Sequence, residues 1–166
     1  MRTIGLMAIF LFVGNLISAQ GLFDQLEDID EISSVVVTKD AFQLLQKFPD
    51  AQSEDMEVFN VLKGLEELKI FSSDTEVISN KMESMVDKAI SNKKLTQLMR
   101  IKDKGSTVKI YVQSTKNKDI VSEVLMFAND KTDEKPESVI ISLLGEIDVN
   151  KLSHCLLYTS PSPRDA

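Results

Sequence analysis

LTQLMRIKDKGSTVKIYVQSTKNKDIVSEVLMFANDKTDEKPESVIISLLGEI, from Leu95 to Ile147, is the stretch whose reading decides the fold. It divides into apolar or alternating runs joined by short polar turns, the pattern of four consecutive antiparallel strands. Val108, Ile110 and Val112 alternate with Thr107, Lys109 and Tyr111, which predicts one buried and one wet face. Lys109 and Tyr111 then point outward as candidate contacts, although an ordinary solvated strand face accounts for them without function. Asp103-Lys104-Gly105 supplies a hairpin loop whose glycine tolerates a left-handed backbone, so Leu95–Lys102 pairs with Ser106–Gln113. A turn over Thr115–Lys118 leads into Ile120–Ala128, where Val124-Leu125-Met126-Phe127 is apolar on both faces as a central strand requires. After the charged turn Asn129–Pro136, the run Val139–Leu144 closes the meander, with Gly145 to Asp148 at its end.

Upstream, Leu22, Leu26 and Ile29 have helical spacing within the acidic segment Gly21–Glu31. The carboxylates there lack the glycine and terminal glutamate of a calcium loop, so they read as a solvated face. Ser33–Thr38 is β-branched and predicts a strand. Thr38 caps a predicted helix Lys39–Phe48, with the stripe Ala41, Leu44, Leu45 and Phe48, stopped by Pro49. A second helix starts at Ser53 and buries Val58, Val61, Leu62 and Leu65. Glu67–Ser72 is a second strand. Ser73 and Glu76 form the pattern of a capping box opening a third helix to about Asn92, whose stripe is Ile78, Met82, Met85, Val86 and Ala89. Met82 and Met85 also suit a soft-metal site or an adaptable groove, but their helical spacing beside Ile78 and Val86 favours core. Asp148 caps a final helix beginning Val149-Asn150-Lys151-Leu152. Helices early and a meander late predict an α+β domain, mostly antiparallel, with helices covering one face of the sheet.

Both ends stand apart. Arg2, the apolar run Ile4–Ile17 and the small pair Ser18-Ala19 predict a signal peptide, residues 1–19, and export to the periplasm or beyond. The run is too short to be a membrane span, and no cysteine near the cleavage point offers a lipid anchor. Cys155–Ala166, CLLYTSPSPRDA, resembles an in-frame translation of a sequencing adapter; a natural Ser/Pro-rich tail is the rival reading. On the adapter reading, residues 20–154 are a single domain whose final helix is truncated, leaving part of the sheet under-covered. Taking Arg2, Arg164 and Asp165 from 19 basic and 26 acidic residues leaves 17 against 25, a formal −8 for Gln20–His154. That charge argues against nucleic acid and against electrostatic docking on anionic lipid.

Four stretches carry a family resemblance: SSVVVTKDAFQLL (Ser33–Leu45), GLEELKIFSS (Gly64–Ser73), LMRIKDKGSTVKIYV (Leu98–Val112) and LLGEIDVNKLS (Leu143–Ser153). Over about Phe23 to Leu152 the chain resembles the exported Bacteroidota proteins of domain-of-unknown-function family 4252. That family continues past the last motif through a helix, and the resemblance implies no activity, cofactor or catalytic residue.

With Cys155 in the adapter-like tail and His154 at its junction, thiol chemistry, a Ser-His pair and His/Cys zinc sites have no residues to build them. Lys104 and Ser106 flank Gly105, and Asp148 ends a strand, but a turn lysine and a helix cap explain them. No catalytic, cofactor-binding or metal-binding residue is therefore assigned, and no cofactor is expected. The reading is an exported envelope protein acting as a non-enzymatic binding or interaction module, its partner a protein or envelope component. The alternative is a carboxylate-dependent periplasmic hydrolase. Opposed carboxylates across a cleft would favour the enzyme; an apolar sheet face or edge would favour the binding module.

Overall fold

The computed structural model describes residues 21–47, 63–132 and 136–151. A 3₁₀ turn, Asp24–Leu26, precedes β1 (Ser33–Val37), α1 (Lys39–Gln46), β2 (Leu65–Ser73), α2 (Glu76–Lys93), β3 (Thr96–Asp103), β4 (Ser106–Ser114), β5 (Ile120–Asp130) and β6 (Glu137–Asp148). They build a six-stranded sheet in the order β1-β2-β6-β5-β4-β3, with every neighbouring pair antiparallel. The α+β class and the four-stranded meander are as expected. The segments expected to be a signal peptide, a helix from Ser53 and an adapter-like tail lie outside the described residues.

The order of strands dictates the role of α2. β2 and β3 stand four strand spacings apart, about 19 Å at ~4.8 Å each, and α2 must carry the chain that distance across the sheet. Its 18 residues span about 27 Å, which is enough. Met82, Met85, Val86 and Ala89 of α2 are buried on Phe71, Tyr111, Leu125, Phe127 and Ile140, with Ile78 packed at the margin. The expected stripe is therefore core, methionines included. Phe23 and Leu26 join the same cluster around the 3₁₀ turn, with the rings of Phe23 and Phe71 6.3 Å apart.

The other face is not bare. Phe42 of α1 is buried among Leu65, Val112, Val121, Val124 and Ile147, with Leu68, Leu143 and Val149 alongside. This differs from the predicted stripe: Leu44 is exposed and Ala41 lies in solvent, because so short a helix meets the sheet along the flank that carries Phe42. Leu65, expected in a helix, is instead the first residue of β2. Tyr111 also departs from expectation. It is buried beneath α2, while Val108 and Ile110 on the opposite side are half-exposed. The alternation is right and the wet face is reversed, because α2 crosses the Tyr111 side.

Two turns need their special backbone. Lys104 and Gly105 both have positive φ (40° and 97°) between the paired Asp103 and Ser106, the two-residue hairpin whose twist suits its strands. Gly145 has φ 144°, and a Cβ there would lie 2.3 Å from the Gly64 carbonyl oxygen, opposite the bulge between Leu65 and Glu67. The capping box does not form: Thr75 is the N-cap without a side-chain bond, and Ser73 Oγ accepts from the Thr75 N–H at 3.3 Å. Gly145→Ala is expected to lower unfolding free energy by roughly 2–4 kcal/mol, through both the clash and the backbone; a urea titration of the two proteins measures it.

Candidate functional site

Directly paired residues in neighbouring strands share a face, so the register defines rows across the sheet. On the α1 side, Val37, Leu68, Leu143, Val124 and Val112 form one row, which Phe42 covers. The next row is Val35, Ile70, Ile141, Met126, Ile110 and Met99, one apolar residue from each of the six strands. Beyond it run Ser72, Val139, Ala128, Val108 and Ile101. None of the residues in these two outer rows is buried, and the ends stand open: Val35 is 53% exposed, Met99 44% and Ile101 52%. The band is about 24 Å wide, five strand spacings across the sheet. It ends on β3, an edge strand exposed along its whole length, with Leu98 at the bulge between Gln97 and Met99.

The α2 side is polar in patches and closed by lysines. Lys69 of β2 is almost buried and bonds to Asp24, with Glu67 at 3.5 Å and Glu27 at 3.9 Å. Burial by itself lowers its pKa, but the Asp24 hydrogen bond and the charges of Glu67 and Asp24 together outweigh that and hold it above the ordinary 10.5. Part of the segment expected to be a solvated acidic face is thus a clamp on the sheet. Lys93 of α2 donates to both oxygens of Glu123 on β5, at 2.8 and 2.9 Å, where the carboxylate is 2% exposed and the lysine 37%. Ser79, Ser138 and Asn129 form a buried hydroxyl-amide chain under the start of α2.

The residues weighed for chemistry do not converge. Lys104 stands in the hairpin turn, and Ser106 sits in register between Asp103 of β3 and Asp130 of β5. Asp130 is held below the usual carboxylate range, first by the Thr132 backbone N–H. Asp148 accepts from the N–H groups of Asn150 and Lys151 at 2.9 and 3.4 Å, the expected helix cap. Among the described residues no group of three or more His, Cys, Asp or Glu is arranged to hold a metal, and no helix is long and apolar enough to cross a membrane. The carboxylates that come together do so around lysines. The outer apolar rows escaped sequence reading because their members come from strands far apart in the chain.

The family model described as "Domain of unknown function (DUF4252)" matches residues 26–155. The chain belongs to the DUF4252 family. No curated protein and no solved structure matches it. In this DUF4252 domain, two charge contacts make separable expectations. Lys93→Met strands a buried carboxylate and is expected to cost about 3 kcal/mol or more, whereas Glu123→Gln leaves Lys93 free to reach water and costs less; chemical denaturation of both variants ranks them. Lys69→Met is expected to lower stability evenly from about pH 6 to about 9, because a raised lysine pKa contributes fully below its unfolded value. The deficit should shrink as pH rises through the folded pKa above 10.5, as thermal melts in an alkaline series will read.

Proposed function

We propose that this protein is an exported, non-enzymatic binding module that seats a protein partner on the open half of its α1-side sheet face and the adjoining β3 edge. The observation that carries the proposal is the unbroken row Val35, Ile70, Ile141, Met126, Ile110 and Met99, half-open or exposed across every strand. A sheet face of this kind is stable in water when something apolar packs on it, and among the described residues Phe42 of α1 packs over the row Val37, Leu68, Leu143, Val124 and Val112, with Ile110 of the next row at its margin. Export is supported by Arg2, the apolar run to Ile17 and Ser18-Ala19; intact-mass measurement of the secreted protein should show a chain that begins at Gln20. The hydrolase alternative draws on carboxylates alone, and Asp24, Glu27 and Glu67 are engaged by Lys69 while Glu123 is engaged by Lys93.

Photo-crosslinking in the source cells tests the surface. A probe at Ile101 or Val108 is expected to yield a discrete intermolecular adduct that a probe at Lys88, on the outer side of α2, does not. Ile101→Asp should abolish the adduct and change stability by less than about 0.5 kcal/mol, since Ile101 is exposed. Reading the same probes for adducts within the chain as well as between chains separates a partner from an intramolecular cover. Adducts formed only within the chain overturn the proposal.

A further inference from the structure

On the opposite, α2 side of the sheet, beyond the flank of the helix, four cationic residues line one concavity. Arg100 and Lys109 are directly paired across β3 and β4, an arrangement in which like charges repel and destabilise the sheet. Lys102 follows Arg100 on the same side of β3, and Lys131 closes the far end, where its N–H donates to the Gly105 carbonyl at 3.3 Å. The concavity measures about 380 Å³, and Phe127, itself buried, forms part of its lining. Among the described residues one carboxylate opposes the four: Glu83 of α2, 3.5 Å from Lys109. Among the described residues Arg100, Lys102 and Lys131 have no ion-pair partner.

This arrangement runs against the composition of a chain whose formal charge is −7. Cations on an edge strand discourage edge-to-edge pairing, which would explain Arg100 and Lys102. It does not reach Lys131, after β5, or Lys109, on an interior strand, where Glu83 balances one of the cations that line the groove. Asn129 lines the same groove; its Oδ1 accepts from Ser138 at 3.4 Å, which leaves its amide N–H groups to donate to a ligand. A guanidinium, three ammoniums and an amide around one small basin match the oxygens of a compact dianion.

We infer that the groove between β3, β4 and α2 binds a phosphate- or sulfate-type oxyanion, through Arg100, Lys102, Lys109 and Lys131. The cross-strand repulsion is relieved when the anion sits between the charges, so binding also stiffens the β3–β4 hairpin. Glu83 competes for Lys109 and sets the affinity. The site lies on the other side of the sheet from the apolar band and does not depend on it.

Titration of ¹⁵N-labelled protein with inorganic phosphate at low ionic strength tests the inference, with phosphatidylcholine vesicles containing phosphatidic acid as a second arm. Saturable shifts at Arg100, Lys102, Lys109 and Lys131, with a Kd of roughly 1 mM or below, are expected. The double variant Arg100→Gln, Lys102→Gln should weaken binding about tenfold or more, and Glu83→Gln should tighten it. Binding to phosphate in solution assigns the site to a free ligand; binding confined to the phosphatidic acid vesicles, and lost in the double variant, assigns it to a headgroup. Absence of saturable binding in both arms, or binding that the double variant leaves unchanged, overturns the inference.

Discussion

Strand β6 pairs with β2 along one side and with β5 along the other, and the rest of the structure depends on that double engagement. The meander β3 to β6 is local in sequence and closes by short turns, but β1 and β2 come from before α2 and reach the meander only through β6. Ile140 and Ile147 of β6 are buried on opposite faces, each in a different cluster, so the strand also joins the two cores. Gly145 lets β6 pass the bulge in β2 where a side chain would strike the Gly64 carbonyl. Long-range pairing of this kind carries a loop-closure cost that short hairpins do not. The apolar burial on both faces of β6 offsets it.

The charges follow the same geometry. Lys69, Lys93 and Lys109 each join the sheet to an element on the α2 side: the 3₁₀ turn through Asp24, β5 to α2 through Glu123, and α2 to β4 through Glu83. Surface ion pairs add little stability, but Glu123 and Lys69 are out of water, and their partners are needed to keep those charges there. At the β3 end the pattern breaks, with four cations beside one carboxylate. The sheet therefore presents two unlike surfaces, an apolar half-face on the α1 side and a basic basin on the α2 side.

Much of the architecture was legible in the chain. The hairpin at Lys104-Gly105, the alternation in β4, the doubly apolar β5 and the stripe of α2 each rest on a local period that the structure keeps. What escaped depends on which side a distant element approaches. Alternation at Tyr111 defines two faces without saying which one α2 will cross. Phe42 stood outside the predicted stripe because a helix of eight residues can turn either flank to the sheet. Leu65 continued a helical pattern in sequence but pairs as β2, where strand pairing overrides local period. The apolar band and the basic basin were invisible for the same reason: Val35 and Met99, or Lys109 and Lys131, become neighbours only through register. Lys109, expected on a solvated outer face, lies instead on the α2 side beside Glu83, and only register places it opposite Arg100.

The most direct measurement of this account is an interstrand NOE map of the isotopically labelled protein, centred on Ile141. Backbone contacts from the Ile141 region to both Ile70 on β2 and Met126 on β5 are the predicted result. Contacts to β5 alone, with β2 paired elsewhere, would contradict it and dismantle the row of apolar residues on which the functional reading stands.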